Sequence, residues 1–119
     1  MGLTYVEGQV RGAEGQEETL RFLVDSGAFY SLLPLQAWQS LRLEPYREER
    51  FVLADGTAVS RNVSYCYMTL PQAEGYTPVI MGEPGDDQAL LGALTLETMG
   101  LLLNPFSRTL HPLQLPWRG

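Results

Sequence analysis

Asp25-Ser26-Gly27 is the tripeptide of this chain best suited to chemistry. It follows Arg21-Phe22-Leu23-Val24, whose aromatic and β-branched content predicts a buried or half-buried strand and places the Asp25 carboxylate at a strand end. Gly27 has no side chain and leaves a water or a substrate room to approach that carboxylate, while Ser26 brings a hydroxyl that donates and accepts. All three residues are also turn formers, and the triplet alone is close to what chance supplies in a chain of this length. Its meaning depends on what surrounds it.

The other reactive residues are sparse. Cys66 and His111 are the only Cys and His, so a thiol nucleophile with an imidazole base is conceivable. Cys66 falls inside a predicted strand, where a small buried hydrophobe is the simpler reading. One Cys and one His at opposite ends of a domain do not make the clustered ligands of a metal site, and no cofactor is expected. Asp55 precedes Gly56 and is read as a hairpin tip rather than a catalytic group. Trp38 is expected in the core of a helix, with Trp117 a possible ligand anchor.

Composition narrows the class. The 119 residues, 45% of them hydrophobic, suit one globular domain spanning 1–119. The net charge is −6, and all eight basic residues are Arg, which argues against a nucleic-acid surface and excludes a Gly-Lys-Ser phosphate loop. The clusters Glu14, Glu17, Glu18 and Glu44, Glu48, Glu49 read as solvated faces. No apolar run is long enough to cross a bilayer, so no membrane partner is expected. The first eighteen residues lack the pattern of a signal peptide, and the single Cys66 allows no internal disulfide. A soluble, cytoplasmic protein is the expectation, in which the sequon Asn62-Val63-Ser64 has no role.

The elements that must position Asp25 follow from periodicity and turn signals. Residues 3–11 and 19–25 read as two strands joined by the Gly- and Glu-rich stretch 12–17. Pro34, with Leu35, Ala37, Trp38 and Leu41 after it, predicts a short helix. Residues 50–54 and 57–70 are expected as strands about Asp55-Gly56, and 78–81 as another. Ala89-Leu90-Leu91-Gly92 is a buried apolar run, followed by a helix over 93–99 that Gly100 stops. Residues 101–103 and 108–111 form a last hairpin about Asn104-Pro105-Phe106-Ser107. The fold class is mostly β, with one or two short helices.

This order resembles the retropepsin-like aspartic proteases, particularly the small prokaryotic members, over residues 4–112. Two motifs carry the resemblance: Val24-Asp25-Ser26-Gly27-Ala28 with Ser31 following, and Ala89-Leu90-Leu91-Gly92 before a short helix, about 65 residues apart. It implies a closed β-barrel-like acid-protease fold and hydrolysis of peptide bonds by two carboxylates sharing a proton. The chain has one Asp-Ser-Gly, so the second carboxylate would be Asp25 of another copy, and the partners implied are a second copy and a peptide or protein substrate. Asp25, Ser26 and Gly27 would be the catalytic loop. Ala28 would line the substrate edge, Leu90 would wall an apolar pocket, and the hairpin about Leu53, Ala54, Asp55, Gly56 and Thr57 would be a flap.

The chain departs from the viral pattern in three places. Viral members often carry an Asp directly after the Ala and an Arg directly after the second Gly; here these are Phe29 and Ala93. The flap has a single glycine, Gly56. Residues 113–119 are left as a tail or a strand between copies. These departures keep a second reading open, a weakly active or inactive peptide-binding or dimerisation module on the same fold, beside a third, a plain structural protein of mixed β class.

Overall fold

The computed structural model describes residues 2–113. Nine strands and two short helices follow one another: β1 Tyr5–Arg11, β2 Glu17–Val24, β3 Ser31–Leu33, α1 Leu35–Ser40, β4 Arg47–Val52, β5 Ala58–Thr69, β6 Glu74–Met81, β7 Ala89–Leu91, α2 Ala93–Thr98, β8 Leu101–Asn104 and β9 Thr109–Pro112. Seven strands lie side by side in the order β1-β2-β7-β3-β6-β5-β4, and β1 pairs again with β5. That extra pairing closes six of them into a barrel and leaves β4 outside it, attached to β5 alone. β8 and β9 form a separate two-stranded sheet.

The barrel is filled from alternating positions, as the period of two in a strand requires. Val10, Phe22, Leu33, Val63, Met68, Val79 and Leu91 are fully buried, and Leu41 beyond α1 joins them. On β5, Ser64, Cys66 and Met68 point inward, whereas Tyr65 is exposed and stacks edge-to-face on Tyr46. Tyr67 does the same with Tyr76, and Arg11 lies over its ring.

Most expected elements are present, with shifted ends. β6 starts four residues earlier than expected, and the 53–57 turn takes five residues rather than a tight Asp-Gly corner. In that turn Gly56 N–H donates to Leu53 O, with Gly56 at φ 88°. β4 therefore ends at Val52, and it begins three residues before the expected 50 because its ladder with β5 runs from Arg47↔Val63 to Val52↔Ala58. Ser31–Leu33 is a strand where only an apolar segment was expected, since its pairing lies far away in sequence with β6 and β7. The tail 113–119 lies outside the described residues except for Leu113, whose N–H donates to Gly100 O. No helix among the described residues is long and apolar enough to cross a membrane.

Candidate active site

β7 is the strand that builds the site. It inserts between β2, to which it is parallel, and β3, to which it is antiparallel, so that Leu90 lies between Leu23 and Leu32. Asp25, the first residue past β2, donates its N–H to Leu91 O at 2.9 Å. The chain then turns, with Ala28 N–H donating to Asp25 O at 3.1 Å and Gly27 N–H donating to Asp25 Oδ1 at 3.1 Å. Asp25 is half-buried, and Ser26 and Gly27 are exposed beside it. A Cβ on Gly27 would stand 3.3 Å from Asp25 Oδ1, so the absence of a side chain leaves that oxygen open.

The second motif is laced to the first by backbone. Ala28 O and Phe29 O accept from the N–H groups of Ala93 and Leu94, the first two residues of α2. The Asp25 loop thereby satisfies donors that a helix start leaves open. Gly92 packs so closely there that a Cβ would come within 2.4 Å of Tyr30 O, which no relaxation of a side chain can relieve. This contact explains why position 92, packed against the segment that follows Asp25-Ser26-Gly27, is a glycine.

Behind the loop runs a buried chain of hydroxyls. Gly92 N–H donates to Ser31 Oγ at 2.9 Å, Ser31 Oγ meets Thr95 Oγ1 at 2.6 Å, and Thr95 Oγ1 meets Thr77 Oγ1 at 2.7 Å. Thr77 donates onward to Pro78 O at 3.3 Å. One end is a donor and the other an acceptor, so the protons point one way: Ser31 to Thr95, Thr95 to Thr77. Ser31, Thr77 and Thr95 have no exposed surface.

Phe29 is 57% exposed, and Ala93 is half-buried. The Phe29 ring meets Tyr30 edge-to-face at 5.1 Å, and Tyr30 meets Phe51 of β4 at 6.0 Å. The Tyr30 hydroxyl donates to Glu49 Oε1 at 2.8 Å and accepts from Arg47 at 2.9 Å, while Arg47 and Glu49 pair at 2.9 Å. The Tyr30 hydroxyl is the largest cause that holds the Glu49 carboxyl below its ordinary value and raises Arg47.

Leu53, Ala54, Asp55 and Gly56 are exposed at the tip of the β4–β5 hairpin. Asp55 Oδ1 accepts from Thr57 N–H at 2.9 Å, a bond that holds its carboxyl below the ordinary carboxylate value and makes it a turn residue. Cys66 is buried and its thiol is pushed up to about 12 by desolvation, whereas exposed His111 sits in the β8–β9 sheet beside Thr109. The thiol–imidazole reading has no support there. Trp38 packs against the core and donates to Gly82 O at 2.8 Å, as a helix-core residue would.

The sequence missed Tyr30, Arg47, Glu49, Thr77 and Thr95. A hydroxyl-bearing Thr95 one turn into a leucine-rich helix was a usable signal; the partners of Tyr30 were not legible before the β4 register was known. A surface concavity of about 390 Å³ reaches the loop at Ser26 and is lined also by Ala93, Leu96, Glu97, Leu101–Leu103 and Pro105. Leu102, on its rim, is 57% exposed.

The aspartyl protease family model matches residues 6–94, three quarters of the chain. No curated protein matches. Among solved structures, the simian foamy virus (mac) protease in solution is similar with a TM-score of 0.57 and 18% identity, over 78% of this chain and 91% of that one. The native protease-reverse transcriptase of prototype foamy virus gives 0.55 and 18%, over 96% of this chain and 12% of that one. With the family model matching three quarters of the chain and the closed barrel similar to these proteases, the chain belongs to the aspartyl protease family and has the retropepsin-like fold.

Proposed function

We propose that two copies of this chain form an aspartic endopeptidase in which the two Asp25 carboxylates face each other across a twofold axis. The carrying observation is Asp25 itself, half-buried at the end of β2, held by Leu91 O and Gly27 N–H, in a chain with no second Asp-Ser-Gly or Asp-Thr-Gly. Like charges about 3 Å apart do not both ionise, so one carboxylate keeps a proton. The ionised one takes a proton from a water between them, and the water oxygen attacks the scissile carbonyl carbon. The protonated one gives its hydrogen to the carbonyl oxygen. Collapse of the resulting gem-diol then breaks the C–N bond as the amine takes up a proton. The pair titrates as a unit.

Ser26, exposed at the loop, reaches the partner loop in this reading. The apolar concavity beside it, with Leu102 on its rim, becomes covered when the second copy brings its Asp25 into place. Ala28, Phe29 and Leu90 line the peptide channel, and the β4–β5 hairpin closes over it, excluding water.

The test is cleavage of an unstructured peptide library at acid to neutral pH. Wild-type protein is expected to cut at apolar residues, and Asp25→Asn to be inactive while keeping the same mass in solution. Cleavage that survives the substitution overturns the assignment. Peptide binding without cleavage, at equal affinity in both proteins, favours the binding-module reading.

A further inference from the structure

β4 is the one strand of the seven-stranded sheet outside the barrel, and among the described residues β5 is its only strand partner. Its residues are exposed or half-exposed throughout, so no core packing holds it down. A hairpin of this kind would swing about β5 unless side chains tied it to the barrel. Arg47, Glu49 and Phe51 alternate along β4 and so share one face, and all three meet the single side chain of Tyr30. Tyr30 is a secure anchor, because its ring is buried and its carbonyl lies hard against Gly92. The hydroxyl satisfies an acid and a base at once, which fixes both the height and the lateral position of β4.

We propose that Tyr30, with Arg47 and Glu49, is a positioning clasp that ties the β4–β5 hairpin to the catalytic loop and thereby sets how the hairpin engages a bound peptide. Tyr30 lies five residues after Asp25, whereas Asp25 is held independently by Leu91 O and Gly27 N–H, so loosening the clasp frees the hairpin without displacing the carboxylate. The consequence for substrate rests on the reading of the hairpin as a lid; the clasp itself does not.

Tyr30→Phe tests this, since it keeps the ring and removes only the hydroxyl. Amide hydrogen exchange over residues 47–52 is expected to quicken about fivefold, with β6 unchanged. Equal exchange in both proteins, or a uniform increase across the barrel, overturns the clasp. Glu49→Gln, whose amide oxygen still accepts from the hydroxyl, is expected to exchange more slowly than Glu49→Ala; indistinguishable rates also overturn it. On a cleaved peptide, Tyr30→Phe should raise KM about threefold to tenfold with kcat held. A fall in kcat at constant KM overturns the role in substrate engagement. If wild-type protein cleaves nothing, the exchange results still decide the clasp, and it is the protease reading that fails.

Discussion

Thr95 is a residue whose removal should be felt out of proportion to its size. Thr95→Val keeps the volume but leaves the Ser31 proton without an acceptor and Thr77 without a donor, in a place water does not reach. A loss of about 1–3 kcal/mol in urea unfolding is expected. Gly92→Ala should cost about 2–3 kcal/mol for a different reason, because its methyl meets backbone at Tyr30 rather than a movable side chain. Both changes act on the segment that carries Leu91 O, so activity should fall along with stability. Cys66, with its thiol pushed up to about 12, leaves only about 10⁻⁴ of the group ionised at pH 8. Alkylation of the folded protein should be far slower than of the unfolded chain, as mass spectrometry would show.

At the scale of elements, the β4–β5 hairpin has its own pH dependence. The Glu49 carboxyl is held below its ordinary 4.5, first by the Tyr30 hydroxyl. A depressed acid stabilises the folded arrangement above its unfolded value and loses that contribution as pH falls through the lower, folded one. Exchange in 47–52, corrected for intrinsic rates, should therefore rise below pH 4.5 in wild-type protein, and much less in Tyr30→Phe. The succession of most elements along the chain, including both helices, was legible in the sequence because periodicity and turn chemistry are local: Pro34 starts α1, and Gly100, at φ 66°, follows the end of α2. β3 was not, since three residues owe their strand state to partners at 79–81 and 90. Asp25 could be found from its own neighbours, but the Tyr30 clasp depends on which face of β4 turns inward, and that is a property of register.

For the whole molecule, the proposed sharing of the site between two copies predicts both mass and mixing behaviour. Sedimentation at micromolar concentration should give twice the 13.3 kDa of one chain; a monomer under conditions of activity would contradict a divided dyad. Wild-type protein equilibrated with an equal amount of Asp25→Asn should retain less activity per wild-type chain than undiluted enzyme, because only about one quarter of random pairs carry two carboxylates. Activity falling in simple proportion to wild-type content would show that each chain works alone.

The hydrogen bond from Asp25 N–H to Leu91 O joins residues 66 positions apart. During synthesis at about 5–20 residues per second, roughly 3–13 s separate the making of the carboxylate from the making of the strand that holds it. Through that interval Asp25 sits on a nascent chain with no β7 beneath it. In the enzyme proposed above, the active centre would stay incomplete until one of the last strands is made, which would spare the unfolded chain during synthesis, and slow closure of such distant contacts would lengthen that interval.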